Sequence, residues 1–286
     1  SGGTGNSIVQ LLNNANNTAG WATYTITPIA SVCSGPAADA VVNVHPMPAV
    51  SFAVCFDTIT TTAAKPFRLR GGLPPGGQYS GPGVETVSGM FAPSASGVGL
   101  IHVSYSYTNA YGCAGTRTGN LHVLPPPSFT CGNLLTDVRD NSQYSTFQLP
   151  NGKCWMKENL DFGNPVSNII PQTDNCQPEK YTRFSSSNPH PTFYQWDELM
   201  CYETTSDTKG ICPPGWHVPS ADEWNELLSF YDGPGRAAGP MKDLLLLDGF
   251  QSYQSGIFYL NNSWAFISGM YAGSMFWTSN STSADH

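Results

Sequence analysis

The sequence has few charged residues and no long apolar run. Only 11% of its 286 residues are Asp, Glu, Lys or Arg, against roughly 25% in an average soluble protein. No stretch reaches the ~18 uninterrupted apolar residues of a membrane-spanning helix. The formal net charge is −8, and Lys and Arg form no cluster of the kind that nucleic-acid binding requires. We therefore expect neither a membrane span nor a nucleic-acid partner.

Signatures of catalysis and of metal binding are also missing. The sequence contains no Gly-x-Ser-x-Gly elbow and no His-Glu-x-x-His pair, so neither hydrolase chemistry nor a zinc protease site is indicated. The eight cysteines include no Cys-x-x-Cys spacing, which favours disulfides formed in an oxidising compartment over zinc ligands. The sequence thus predicts an exported, non-enzymatic protein that holds no cofactor.

Charge and tryptophan content divide the chain near residue 127. The formal charge sums to about +1 before this point and about −9 after it. Six of the seven tryptophans follow it, and Pro125-Pro126-Pro127 stands at the change. A composition shift of this size indicates a domain boundary.

The first half is typical of antiparallel β-sandwich modules. Trp21–Thr27 and Ile101–Thr108 alternate large with small or polar side chains, as half-buried strands do, and Gly/Pro-rich turns lie around them. Trp21–Gly35 and Ile101–Gly115 also form a repeat, whose cysteines Cys33 and Cys113 are 80 residues apart. We predict the C-terminal part of one module over residues 1–45 and a complete module over residues 46–127.

The cysteines of the first half follow from this division. Cys55 and Cys113 are expected near the first and last strands of the complete module, where a disulfide can bridge the two sheets of a sandwich. By the same logic Cys33 is expected to pair with a cysteine upstream of Ser1.

The second half, residues 128–286, mixes helix and strand signals. Ser220 to Glu223 is a capping box, and Trp224, Leu227, Leu228 and Tyr231 follow at helical spacing before Gly233. Thr192 to Gln195 predicts a weaker box and a helix over residues 193–202. Strands are expected near Tyr144–Leu149, Cys154–Met156, Gly256–Leu260 and Phe276–Ser279.

Several motifs in this half occur in the order of a known family. They are Cys131-Gly132, Thr136-Asp137, Gly152–Leu160, Glu179–Tyr181, Tyr194–Met200 and Gly210–Pro219. Together they resemble the Fibrobacter succinogenes major paralogous domain. The stretch Gly215–Trp224 is similar to a motif of the formylglycine-generating sulfatase-modifying factors, whose fold is C-type-lectin-like. The resemblance implies an α+β, C-type-lectin-like domain without the sulfatase-modifying activity, because no cysteine follows Cys212 in this chain.

A second resemblance concerns the preceding modules. Tyr79–Val84 and Gly89–Pro93 resemble polycystic-kidney-disease-like (PKD-like) modules of the immunoglobulin-like class. These resemblances imply a large cell-surface adhesin of Bacteroidota, exported by the type IX system to the outer cell surface. The whole chain is then multidomain, with all-β sandwiches followed by an α+β domain that is truncated at its C-terminus.

The resemblance also bears on the cysteines of the second half. Cys131 with Cys154 is the favoured disulfide. Cys201 pairs either with Cys212, which closes a tight loop, or with Cys176, which leaves Cys212 for a strand beyond His286.

Two groups of side chains are candidates for a functional site. Tyr194, Trp196, Asp197 and Glu198 could line a carbohydrate site, because aromatic faces stack on sugars and carboxylates bind their hydroxyls; packing of a first helix explains the same motif. His217, Asp222, Glu223 and Glu226 gather near one helix start, where helix capping is favoured over acid/base chemistry. Asp174-Asn175 and Asn261-Asn262 offer oxygen ligands for calcium, but neither pair forms a complete loop.

The sequence supports three hypotheses about function. The first is an adhesin, whose stalk modules carry a terminal domain that binds a glycan, a surface or a protein. The second is a structural domain that docks onto an outer-membrane protein or neighbouring subunits, and the third is a domain that targets a polysaccharide-degrading enzyme to its substrate. In each case the other modules of the same long chain are its neighbours.

Overall fold

We analysed a computed structural model of the chain. It describes residues 4–16, 18–56, 58–126, 128–167, 170–182, 192–204, 208–234, 236, 241, 257–259, 265–267 and 278–280. The chain divides into two compact units. The first unit comprises residues 1–52, 72–78 and 104–118, and the second comprises residues 53–71, 79–103 and 119–286. The predicted domain boundaries near residues 45 and 127 stay predictions.

The regular secondary structure of the described residues is mostly β-strand, with few helices, as the sequence predicts. The strands up to residue 127 are β1 (Gly20–Ile26), β2 (Ile29–Ala30), β3 (Cys33–Ser34), β4 (Ala38–Val44), β5 (Ser51–Phe52), β6 (Ile59–Thr61), β7 (Phe67–Arg68), β8 (Gly72–Leu73), β9 (Gln78–Ser80), β10 (Val84–Glu85), β11 (Met90–Phe91), β12 (Gly99–Thr108) and β13 (Ala114–Leu124). The later strands are β14 (Leu135–Thr136), β15 (Gln143–Tyr144), β16 (Thr146–Gln148), β17 (Cys154–Met156), β18 (Asn164–Pro165), β19 (Glu179–Thr182), β20 (Thr192–Phe193), β21 (Ile257–Tyr259) and β22 (Ala265–Ile267). The helices are α1 (Pro93–Ser96), α2 (Trp196–Leu199) and α3 (Ala221–Phe230).

The first unit contains antiparallel pairs of strands. Strand β1 pairs with β4 from Gly20 opposite Val44 to Ile26 opposite Ala38, β2 pairs with β3 and β5 pairs with β8. Tyr105 packs against the backbone of Gly72, where a Cβ atom would stand 2.5 Å from the tyrosine ring. Only glycine permits so close an approach of strand and ring.

In the second unit, the side chains of β12 and β13 alternate between buried and exposed positions. Strand β13 pairs in parallel with β6, while β7, β11 and β10 form a separate three-stranded sheet. Val103 of β12 and Leu121 and Val123 of β13 are fully buried. Phe67 and Phe91 meet edge to face at 5.5 Å between ring centroids. Ile101 and Val103 of β12 are buried, as the alternation in Ile101–Thr108 predicts.

The C-terminal part of the second unit contains two apolar clusters. One joins β16 and β17 to α3 through Phe147, Leu149, Trp155, Leu227, Tyr231 and Met241. The other packs Trp196 of α2 and Met200, the residue after α2, against Cys212 and Val218. The predicted strands near 144–149 and 154–156 are confirmed, and that near 256–260 is present as β21. The strand predicted near Phe276–Ser279 lies partly outside the described residues.

Helix α3 begins with the capping box that its sequence predicts. Ser220 Oγ accepts a hydrogen bond from the Glu223 N–H at 3.2 Å, and Glu223 Oε2 accepts one from the Ser220 N–H at 2.9 Å. After the helix, the Gly233 N–H donates to the Leu228 carbonyl from a positive φ of 89°. The box predicted at Thr192 is wrong: Thr192 lies in β20, and α2 begins after Gln195 without a side-chain cap.

The cap of α3 gives a first prediction. Ser220→Ala removes the acceptor for the Glu223 N–H, and we expect the free energy of unfolding to fall by about 1 kcal/mol. Ser229→Ala is the matched control, because Ser229 lies on the exposed face of the helix, where its Oγ donates to the Asn225 carbonyl, and alanine has the higher helix propensity. Equal losses from both variants, measured by urea unfolding, would contradict a specific cap.

A segment upstream of residue 150 is tied to the C-terminal core. The predicted disulfide between Cys131 and Cys154 is confirmed. Asp137, whose side chain is fully buried, forms a bidentate ion pair with Arg139 at 2.7 and 2.9 Å. Arg139 also donates to the Ile211 carbonyl at 2.9 Å, and its guanidinium lies 3.7 Å from the centre of the Phe162 ring.

Candidate functional site

The four residues predicted to line a carbohydrate site lie together at the start of α2, but two of them are buried. Trp196 is 8% exposed and its indole N–H donates to the Thr278 carbonyl at 2.9 Å. Glu198 is fully buried. Tyr194 is half-buried, and its hydroxyl accepts from the Phe162 N–H. Asp197 is half-buried. This placement favours a packing role for Trp196 and Glu198, while a ligand role for the group stays a prediction.

Glu198 holds the strand that follows the loop of residues 170–178. Its Oε1 accepts from the Glu179 N–H at 2.7 Å, and its Oε2 accepts from the Tyr202 hydroxyl at 3.0 Å. The loop is further fixed because the Gln172 N–H donates to Gln195 Oε1 and the Gln195 N–H donates to Gln172 Oε1, both at 2.6 Å. A buried carboxylate and two glutamines therefore position this loop.

Burial raises the pKa of Glu198 to about 7. The Glu179 N–H and the Tyr202 hydroxyl oppose this by stabilising the charged form, whereas the charges of Glu179 and Asp174 add to the rise. A carboxyl whose pKa is higher in the folded than in the unfolded chain binds its proton more tightly when folded. Its contribution therefore favours the folded state at low pH and is lost as the pH rises from about 4.5 to about 7.

This shift predicts a pH-dependent effect of Glu198→Gln. The amide cannot ionise, so we expect the variant to gain stability relative to the parent as the pH rises from 5 to 8, by about 1 to 2 kcal/mol. Urea unfolding at several pH values measures the difference. Glu226→Gln, an exposed glutamate, is the control and should show no such trend. A difference between Glu198→Gln and the parent that is constant with pH would contradict the assignment.

A disulfide links the segment of residues 53–71 to this loop. Cys55 is bonded to Cys176 at a sequence separation of 121, so the predicted Cys55–Cys113 pairing is wrong and Cys113 carries a thiol. Gly71 makes room for the link: its φ is 92°, and a Cβ there would lie 1.9 Å from the Ala53 carbonyl oxygen and 2.8 Å from Cys55 Sγ. Only glycine fits this position.

Charged side chains of the two segments that this disulfide links also pair with one another. Glu203, whose side chain is 6% exposed, accepts a hydrogen bond from the Arg68 Nε–H at Oε2, at 3.4 Å. Its Oε1 lies 3.2 Å from Arg68 Nε and 3.7 Å from Arg70 Nε. Arg70 also pairs with Asp174 and donates to the Tyr202 carbonyl. We call this group, Arg68, Arg70, Asp174 and Glu203, the arginine clamp. Together with the Cys55–Cys176 disulfide it fastens residues 53–71 to the C-terminal part of the second unit.

A small cavity lies beside the clamp. Its lining includes Phe56, Phe67, Arg68, Glu203 and Thr208. At about 20 Å³, it has room for roughly one water molecule. The cavity is therefore too small for a sugar ring, and the clamp joins parts of the chain rather than forming a ligand pocket.

The remaining two cysteines of the second half face different surroundings. Cys212 is buried in the cluster of Trp196, Met200 and Val218, whereas Cys201 lines the cavity beside the clamp. Both carry thiols in the structure, so neither predicted pairing of Cys201 is present. Cys176 is bonded to Cys55 and is therefore not available to Cys201.

The charged residues at the start of α3 form a capping network. Glu223 accepts His217 Nε2 at 3.0 Å and lies 3.5 Å from Lys153 Nζ, which also pairs with Glu226 at 2.8 Å. Burial raises the pKa of Glu223, but the Ser220 N–H and the neighbouring His217 and Lys153 outweigh it and lower that pKa to about 2. Asp222 is exposed. These contacts agree with helix capping.

The part of the chain that contains the Glu198 contacts and the capping network of α3 resembles a known family. Residues 150–286 match the Fibrobacter succinogenes major domain. This match supports the resemblance drawn from the motifs that begin at Gly152. No curated protein and no solved structure gives a significant match to the chain.

The major-domain segment, as we call residues 150–286, contains α2, α3, Cys176 and Glu203. Two disulfides join this segment to Cys131 and Cys55. Arg139, paired with Asp137, donates to its Ile211 carbonyl, and Arg68 and Arg70 form ion pairs with its acidic residues. Within the residues that the structure describes, no helix is long and apolar enough to cross a bilayer, and no three His, Cys, Asp or Glu side chains are grouped as metal ligands.

Two parts of this arrangement were not predicted from the sequence. They are the arginine clamp and the Asp137–Arg139 pair. A signal for the clamp exists: only seven charged residues precede residue 128, and two arginines of that small set stand at positions 68 and 70. Alternate residues of an extended segment point to the same side, so this pair indicates a contact with acidic groups.

Proposed function

We propose that the chain is a non-enzymatic segment of a large secreted bacterial cell-surface adhesin. In this proposal, PKD-like and immunoglobulin-like modules form a stalk. The major-domain segment, with a C-type-lectin-like fold, binds a glycan, a surface or a protein. The observation that carries the proposal is the family match over residues 150–286, directly after β-rich residues that a disulfide and ion pairs fasten to it.

The covalent links support an extracellular setting. Disulfides persist in oxidising compartments and are rare in the cytosol, and two of them connect distant parts of this chain. Export by the type IX system of Bacteroidota follows from the resemblance to other surface proteins. We propose this route together with the adhesin function.

Binding is tested on the full chain by a glycan array with and without calcium. Asp197 is the residue to vary, because it is half-buried while its neighbours Trp196 and Glu198 are buried in the fold. Saturable binding to one sugar class that Asp197→Asn weakens at least tenfold would support the proposal. Asp222→Asn, an exposed aspartate at the start of another helix, is the control and should leave binding unchanged.

Structural docking is the alternative that one observation favours. Trp21 and Val41 lie on the same face of the β1–β4 pair, because Val41 is opposite Thr23, and they are 72% and 63% exposed. An exposed apolar face of this kind marks a contact with another protein surface. Absence of glycan binding, combined with self-association or outer-membrane-protein capture that Trp21→Ser abolishes, would support docking in place of glycan recognition.

A further inference from the structure

The Cys55–Cys176 disulfide closes a large covalent loop. The two cysteines are 121 residues apart, so the backbone between them, residues 56–175, is bypassed by a single S–S bond. A covalent bond does not yield at forces that break hydrogen bonds and apolar contacts. We propose that this disulfide carries tension along the chain and keeps residues 56–175 unloaded. The proposal does not depend on what the major-domain segment binds.

The bypassed loop includes much of the fold described above. Strands β6, β7 and β10 to β13 lie within it, as does the buried sandwich core of Phe67, Phe91 and Leu121. The Cys131–Cys154 disulfide also lies within it. Tension therefore enters at Cys55, crosses to Cys176 and continues into β19. Within the predicted module of residues 46–127, only the segment before Cys55, which includes β5, is loaded.

The surroundings of the disulfide hold both of its ends in place. On one side, Gly71 packs against Ala53 and Cys55. On the other, Glu198 binds the Glu179 N–H three residues beyond Cys176. The ion pair of Arg68 with Glu203 joins a bypassed residue to one outside the loop. Ion pairs of this kind break at modest load, after which the disulfide alone holds the two ends together.

The disulfide removes a measurable length from the extended chain. At about 3.5 Å per extended residue, the 121-residue separation corresponds to about 400 Å of chain that tension cannot extend. A stretched chain would thus keep β6 to β13 unloaded and would gain length only from the residues outside the loop.

Single-molecule force spectroscopy of the full chain tests this. Peptide tags at the two ends, attached without cysteine chemistry, provide the handles, and the chain is stretched to full extension under non-reducing conditions. We expect Cys55→Ser with Cys176→Ser to lengthen the extended chain. The gain is the 121-residue separation less the 23 residues that Cys131–Cys154 still closes, or about 340 Å. New unfolding steps from the sandwich should accompany it.

A matched pair of substitutions decides between the two pairings of Cys55. With Cys55 bonded to Cys176, Cys131→Ser with Cys154→Ser should leave the extended length unchanged, because that disulfide lies inside the bypassed loop. A gain of about 80 Å from this variant, the length of 23 residues, would overturn the proposal. So would an unchanged length of the Cys55/Cys176 variant. The fully extended length depends only on covalent connections, so a variant that folds poorly still gives a valid result.

Discussion

Asp137→Ala is expected to lower the free energy of unfolding of the C-terminal part of the chain by about 3 to 5 kcal/mol. Asp137 is fully buried and Arg139 is 6% exposed, so removing the carboxylate leaves a desolvated guanidinium without its partner. The lost hydrogen bond to the Arg139 N–H adds to the effect. Urea unfolding followed by tryptophan fluorescence measures it, because six of the seven tryptophans follow residue 127.

Asp140→Ala is the control for this variant. Asp140 is exposed and accepts one hydrogen bond from the Ser142 N–H, so we expect a loss below about 1 kcal/mol. Arg139→Lys should be nearly as damaging as Asp137→Ala, because lysine provides neither the planar fork nor the stacking on Phe162. A loss from Asp137→Ala no larger than that from Asp140→Ala would show that the pair is not buried as described.

Cys176→Ser is expected to lower the free energy of unfolding by about 3 to 5 kcal/mol under non-reducing conditions. A crosslink restricts the unfolded chain more as the loop it closes becomes longer, and this loop separates its cysteines by 121 residues. Cys33→Ser, at an exposed thiol, should change stability by less than about 0.5 kcal/mol. Thermal unfolding of both variants, each compared with the parent, gives the two values.

Peptide mapping without reduction identifies the partner directly. We expect one crosslinked peptide that contains Cys55 and Cys176 and another that contains Cys131 and Cys154. A peptide joining Cys55 to Cys113 would show that the pairing within the sandwich is the correct one. Equal stability of Cys176→Ser and the parent would contradict the Cys55–Cys176 disulfide.

Local patterns in the sequence predicted the local structure well. The capping box at Ser220 and the helical spacing of Trp224 and Leu227 fix α3, because both signals act within a few residues. The alternation in Ile101–Thr108 likewise predicts β12. These elements need no information from distant parts of the chain.

The pairing of Cys55 shows where such reasoning stops. Its predicted partner, Cys113, rests on the usual bridge between the sheets of a sandwich. The observed partner, Cys176, depends on the path of a loop that Gln172, Gln195 and Glu198 fix in three dimensions. Cysteine spacing alone does not contain that path.

The candidate site was predicted as a group, but burial was not. The sequence places an aromatic and two carboxylates side by side at positions 196 to 198, which is compatible with a sugar site or with a packed helix. In the four-residue helix α2, Trp196 and Glu198 are buried by contacts with other elements, and Asp197 between them is half-buried. The buried state of Glu198 therefore depends on Glu179 and Tyr202, which its own segment does not specify.

The links upstream of residue 150 determine where this protein can be divided. A fragment that begins at the family boundary would lack Cys131 and Asp137, and would leave the Cys154 thiol exposed and the Ile211 carbonyl without the Arg139 donor. A fragment that begins at residue 128 would retain these but lose Cys55, Arg68 and Arg70, so that Cys176 and the buried Glu203 would have no partners. The smallest fragment expected to fold as it does here therefore begins before Ala53, well upstream of the family boundary.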